Sequence, residues 1–224
     1  MPAFTLYGFH GSTMTNRVRM TLAEGGFTDY EFVVVNLPKG EQRSKDHLER
    51  HPWGRVPVLQ YPGGFTLYES QAICKYLATK YSFPLLPPQS DVEGTALFEQ
   101  ATSVERSYFS SPAGNIAFEN FVKVRMLKLP PDEKVISDSV KSLNDFFDVA
   151  EDILSKNEYM AGKAFSLVDI YYIPVIHRLI DCGVGDLITS RKAVSAWWDR
   201  CNSRPAIKAS VAAEKETLAA MLKG

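Results

Sequence analysis

The sequence predicts a small mixed α/β domain followed by an all-helical one. Three observations carry this reading. Up to about Tyr81, short β-rich runs alternate with helical spacing; Ser82-Phe83-Pro84-Leu85-Leu86-Pro87-Pro88 then interrupts both patterns; beyond it only helical periodicity recurs. The divisions are residues 1–82, a linker at 83–91, and residues 92–224.

Phe4 to Tyr7 reads as a strand, Arg17 to Glu24 as a helix stopped by Gly25-Gly26, and Tyr30 to Val35 as a second strand, which together make a βαβ unit. A polar, helix-prone stretch at Ser44 to Arg50 precedes two short runs, Val58 to Tyr61 and Phe65 to Leu67, whose Pro62-Gly63-Gly64 spacer signals a hairpin. From Ser70, Ile73, Leu77 and Tyr81 fall on one helical face. The order βαβ-α-ββα implies a small mixed sheet with helices on its faces. In the second region, Ile136, Val140, Leu143, Phe147, Ala150 and Leu154 form an apolar stripe, with Asp132 placed to start that helix. Ser166-Leu167-Val168-Asp169 has the spacing of a capping box.

Bulk composition excludes several function classes. Twenty-five Lys and Arg against 26 Asp and Glu leave a net charge of -1, so no sequence-wide field draws the chain to nucleic acid or anionic lipid. No apolar run approaches the roughly 20 residues that cross a bilayer, and the expected location is the cytoplasm. Cys74, Cys182 and Cys201 are odd in number and widely spaced, as reduced thiols are. His10, His47, His51 and His177 lack metal-ligand spacing, so no metal is expected.

Four segments could carry chemistry. Ser12 follows the first strand near the head of its helix, where unpaired amides favour an anion; Ser12 or Thr13 could equally be a simple cap. Val56-Pro57 precedes the third strand. A cis bond there would expose the Val56 N–H and C=O to the backbone of a bound peptide, whereas a trans bond would make it an ordinary strand entry. Glu69-Ser70 opens the next helix, where free amides and the Ser70 hydroxyl suit a ligand carboxylate and Glu69 an ammonium; a cap is again the plain alternative. The loop Lys39 to Arg43 could reach a far carboxylate of the same ligand.

Taken in order, these pieces resemble glutathione transferases, most nearly the phi class. The matching residues are Tyr7-Gly8 with Ser12-Thr13 and Arg17-Val18, Lys39-Gly40-Glu41, HPWGRVPVL from His51, YESQAICKYLA from Tyr68, FSLVDIYYIPVI from Phe165 and AWWDRCNSRP from Ala196, so the likeness spans nearly the whole chain. It implies a thioredoxin-like N-terminal domain, an all-α C-terminal domain and a homodimer. It also implies that Ser12 hydrogen-bonds the glutathione sulfur, Val56 pairs with the cysteinyl backbone beside Pro57, and Glu69 and Ser70 hold the γ-glutamyl end, while Gln42, Arg43 and Arg55 fill other glutathione-contacting positions. Gln42 stands where phi members often have histidine, and Arg55 replaces a common glutamine.

The implied activity is conjugation of glutathione to small hydrophobic electrophiles, with reduction of organic hydroperoxides as a side activity. A hydroxyl at position 12 cannot form the mixed disulfide that a cysteine there would, which argues against thiol transfer. The electrophile is expected between the domains against Phe9, His10, Tyr108, Phe109, Phe118, Phe121 and Arg178. A non-catalytic carrier of glutathione and hydrophobic ligands is the competing reading.

Overall fold

The computed structural model describes residues 1–221, which form two compact units. The first holds residues 1–84 together with Pro205–Met221, and the second holds Leu85–Arg204. The boundary after Pro84 falls inside the predicted linker. The end of the chain differs from the expected 92–224 division, because the last helix belongs with the N-terminal unit. Periodicity marks a helix but carries no record of what it packs against.

In the first unit, β1 (Thr5–Gly8), α1 (Thr13–Glu24) and β2 (Glu31–Val34) form the βαβ motif, with β1 and β2 parallel. After α2 (Lys45–Arg50), β3 (Val58–Gln60) pairs antiparallel with both β1 and β4 (Thr66–Tyr68), giving the sheet order β2-β1-β3-β4. This is the thioredoxin-like sheet that the family resemblance implies. α3 (Ser70–Lys80) and α1 pack together, and Phe4, Leu6, Val18, Leu22, Leu59, Ile73 and Leu77 are buried at the sheet-helix interface. Gly8 lets α1 sit close: a Cβ there would lie 2.5 Å from Thr15 Cγ2 and 2.8 Å from the Phe32 ring, so any larger residue would displace the helix head. α10 (Pro205–Met221) lies against α1.

The second unit is helical. α4 (Val92–Val104), a π-helical segment at Glu105–Phe109, α5 (Ser110–Ala117) and a second π-helical segment at Phe118–Leu127 run on continuously. α6 (Glu133–Leu154) starts at the Asp132 cap and buries Leu143, Phe147, Ala150 and Leu154 of the predicted stripe. α7 (Leu167–Asp181) is buried along most of its length, as the central helix of the unit must be. α8 (Asp186–Thr189) and α9 (Lys192–Ser203) complete it. The Ser166-Asp169 capping box is present, and Asp169 also accepts hydrogen bonds from Met160 N at 3.0 Å and Trp197 Nε1 at 2.9 Å. Burial pushes the Asp169 carboxyl above the usual range, and those hydrogen bonds oppose the shift. No helix of the described residues is long and apolar enough to cross a membrane.

Candidate active site

β1 delivers the chain into a turn, Phe9 to Ser12, that ends on α1. Ser12 N donates to Phe9 O at 3.1 Å, and Gly11 takes a φ of +87°, a conformation that favours glycine. Ser12 is extended, with φ -80° and ψ 115°, as an N-cap requires, and its Oγ accepts from Thr15 N at 3.2 Å. The plain cap reading therefore holds, but it uses only an oxygen lone pair. A hydroxyl also carries one donor, and the Ser12 hydroxyl donates to no group among the described residues. Thr13 is the first residue of α1 and half-buried.

The Val56-Pro57 bond is cis, the alternative that exposes the Val56 backbone. Neither Val56 N–H nor C=O is hydrogen-bonded among the described residues. The preceding carbonyl, Arg55 O, accepts from His47 Nε2 at 2.8 Å, which anchors the segment to α2. Since Val58 pairs with both Tyr7 and Tyr68, continuing the two registers puts Val56 beside the exit of β1 and the exit of β4. Segments far apart in sequence thus converge at one end of the sheet.

Glu69 occupies the β4 exit with φ 71° and ψ 110°, outside the wells open to side-chain-bearing residues. Such strain is of order 1–3 kcal/mol and clusters at functional sites. No side chain caps α3 at this point. Ser70, buried at the first position of α3, donates from Oγ to Met14 Sδ at 3.6 Å, which brings the heads of α1 and α3 into contact.

A 3₁₀ turn, Glu41–Arg43, lies against the 53–55 loop: Arg43 Nη1 donates to Trp53 O at 3.2 Å, and a Cβ on Gly54 would lie 2.8 Å from Gln42 O. Gln42 Oε1 is buried without a hydrogen-bond partner among the described residues, an arrangement that is costly unless a ligand or water supplies a donor. Arg43 and Arg55 are exposed. Nearby His51 is buried, with its ring 4.7 Å from that of Tyr68. Burial lowers its pKa, the Glu69 charge opposes that, and His47 and Arg55 add to it.

The hydrophobic-site candidates separate. Phe9 is buried, and His10 is half-buried with its ring edge-on to Phe32 at 5.0 Å. Tyr108 and Phe118 are exposed. Phe109 is a correction: it is fully buried among Phe146, Phe147 and Tyr172, so its surface is spent on the core of the helical unit. Helical spacing could not distinguish that face from a ligand wall. Phe121 is also buried, with the Arg178 guanidinium 3.4 Å from its ring centroid. Glu214 was not foreseen, since nothing in the alanine-rich tail marks it; it accepts hydrogen bonds from Gly11 N and from Arg19 Nη1.

The glutathione S-transferase N-terminal domain model matches residues 2–79, and the C-terminal domain model matches residues 103–205. The chain belongs to the glutathione S-transferase family. Within it, this transferase is of the phi class. It is 40% identical to glutathione S-transferase PM239X14 of Arabidopsis thaliana over 88% of this chain and 91% of that protein. The crystal structure of glutathione transferase F7 from Populus trichocarpa superposes with a TM-score of 0.87 at 32% identity, covering 93% of this chain and 97% of that one. Glutathione S-transferase I from maize, solved in complex with an atrazine glutathione conjugate, gives 0.86 at 32% identity, with 95% and 98% coverage. Glutathione is the substrate that this membership assigns.

Proposed function

We propose that this transferase activates glutathione through the Ser12 hydroxyl and conjugates the thiolate to small hydrophobic electrophiles. The observation that carries the reading is the Ser12 cap: Thr15 N fixes Oγ at 3.2 Å and leaves its proton for an incoming acceptor.

The energetics suffice. A free thiol has a pKa of about 8.5, and the thiolate is the nucleophile. Lowering that value by about two units needs roughly 2.7 kcal/mol of preference for the anion. A hydrogen bond to a charged group supplies about 1.5–3 kcal/mol, and the positive end of a helix about 0.3–1 kcal/mol. No further base is required. Val56 offers the backbone pair for the cysteinyl residue, and Glu69 and Ser70 take the γ-glutamyl ammonium and carboxylate. Gln42, Arg43 and Arg55 face the remaining polar groups. The maize enzyme's conjugate-bound structure supports an electrophile of the same general kind.

The same thiolate can attack the terminal oxygen of an organic hydroperoxide, releasing the alcohol and forming a sulfenic acid. A second glutathione then converts the sulfenic acid to the disulfide and water. The working assembly in this reading is a homodimer. Turnover with a chloronitroaromatic acceptor and with a hydroperoxide tests the proposal. Thiol consumption that falls by two or more orders of magnitude in Ser12→Ala supports it. Binding of glutathione without consumption would make the protein a carrier.

A further inference from the structure

α10 is rich in alanine and carries two acids, of which Glu216 is exposed whereas the Glu214 carboxylate is nearly buried, at 12% side-chain exposure. Its two oxygens go to different partners. Oε1 accepts the Gly11 N–H, and Oε2 accepts from Arg19 Nη1 at 2.9 Å while lying 3.8 Å from His10 Nδ1. Leu218, one turn on, covers the same spot, with its Cδ1 3.2 Å from where a Gly11 Cβ would stand.

Gly11 immediately precedes Ser12, and with no Cβ it takes a φ of +87° that other residues rarely adopt, so bonds to its backbone help set the shape of the turn. A residue that merely glued α10 to α1 would need only Arg19. The second bond, to the Gly11 N–H, fixes the His10–Gly11 peptide, while Ser12 N on the next peptide is held by Phe9 O at 3.1 Å, so the two bonds together pin the turn on which Ser12 sits. A carboxylate this close to the turn would itself oppose a thiolate, and the Arg19 guanidinium on Oε2 offsets that charge.

We infer that Glu214 is a positioning residue for the transferase reaction: by holding the His10–Gly11 peptide it keeps the turn in the shape that aims the Ser12 hydroxyl at the glutathione sulfur. This rests on Ser12 being the thiolate donor.

The test titrates the ultraviolet absorbance of bound glutathione thiolate and measures steady-state kinetics for Glu214→Gln, Glu214→Asp, Glu214→Ala and Ser12→Ala, with thermal melting as the folding check. Glu214→Gln keeps an acceptor for Gly11, so its thiol pKa stays at or slightly below wild type and its kcat within about twofold. Glu214→Ala raises the thiol pKa by about half a unit or more and lowers kcat about tenfold, with KM for glutathione within about twofold, because orientation is lost and binding is not. Should the alanine variant not fold, Glu214→Asp, one methylene too short, carries the same expectation at smaller amplitude. A thiol pKa at or below wild type in Glu214→Ala, or in Glu214→Asp where that variant stands in, overturns the inference, since removal of charge alone acts in that direction. If Ser12→Ala raises the pKa while the Glu214 variants do not, only the role of Glu214 fails. An unchanged pKa in Ser12→Ala fails the serine reading itself.

Discussion

The Ser12 hydroxyl accepts the Thr15 amide hydrogen at 3.2 Å, so its oxygen starts α1 while its donor has no acceptor among the described residues. Cap and donor are usually weighed as rival readings of a serine at a helix head. In the proposed reaction they cooperate, because the bond that closes the helix end also restrains the side chain that the proposal assigns to the thiolate.

The two roles are separable by substitution. Ser12→Asp retains a good cap for Thr15 N but has no proton to give and adds a negative charge beside the sulfur. The melting temperature should stay within about 2 °C of wild type, consistent with an intact cap, while conjugation falls to the level of Ser12→Ala or below. Ser12→Ala itself should lose about 1 kcal/mol of stability, measurable by urea unfolding.

Glu69 trades stability for position. Its φ of 71° costs about 1–3 kcal/mol, which glycine would not pay. Glu69→Gly should therefore raise the melting temperature by about 2–4 °C per kcal/mol relieved. The same change should raise KM for glutathione about tenfold, since a charge-assisted hydrogen bond to the ligand ammonium is lost. A variant that is both more stable and unchanged in KM would show that the strained backbone serves something other than glutathione.

Removing the orphaned Gln42 Oε1 should help folding and hurt binding. Gln42→Leu eliminates a buried acceptor with no partner among the described residues, a gain of up to about 1–3 kcal/mol. Isothermal titration should show weaker glutathione binding, with kcat at saturation unchanged.

Phe109 and Tyr108 are neighbours with opposite expected phenotypes. Phe109→Ala opens a cavity in the Phe146, Phe147 and Tyr172 cluster and should cost about 3–5 kcal/mol in chemical unfolding. Tyr108 is 65% exposed, so Tyr108→Ala should stay within about 0.5 kcal/mol.

His51 sets a pH dependence of stability. Its pKa is lowered from 6.5 on folding, so below 6.5 the unfolded chain binds more protons than the folded one. The stabilisation is complete above 6.5 and is lost as pH falls through the lowered folded value. Melting temperatures of the wild type should decline from pH 6.5 downward, and His51→Phe, which preserves the ring stacked on Tyr68, should show a shallower decline.

Much of the fold was legible because it is local. Gly25-Gly26 after α1, Pro62-Gly63-Gly64 in the hairpin and the Ser166-Asp169 box are short-range signals, and each element lies within a few residues of its expected place. The apolar spacing begins only at Arg17, whereas α1 begins at Thr13, since Thr13 to Asn16 carry little apolar periodicity. The candidate site is legible as an order of motifs, whereas its geometry is not. Nothing in the composition of Glu69 announces a positive φ, and the Glu214 bond to Gly11 joins positions about two hundred residues apart that no periodicity connects. Phe109 failed as a ligand-wall candidate because which side of a helix meets its neighbours is decided by packing.

The most direct test of the serine account is the thiolate absorbance of enzyme-bound glutathione as a function of pH, in wild type and in Ser12→Ala. The account predicts a thiol pKa about two units below 8.5 in the wild type and a value back near 8.5 in the variant, with glutathione still bound. A Ser12→Ala protein that holds glutathione at the depressed wild-type pKa would contradict it, and a rise appearing only in Thr13→Ala would hand the role to the neighbouring hydroxyl.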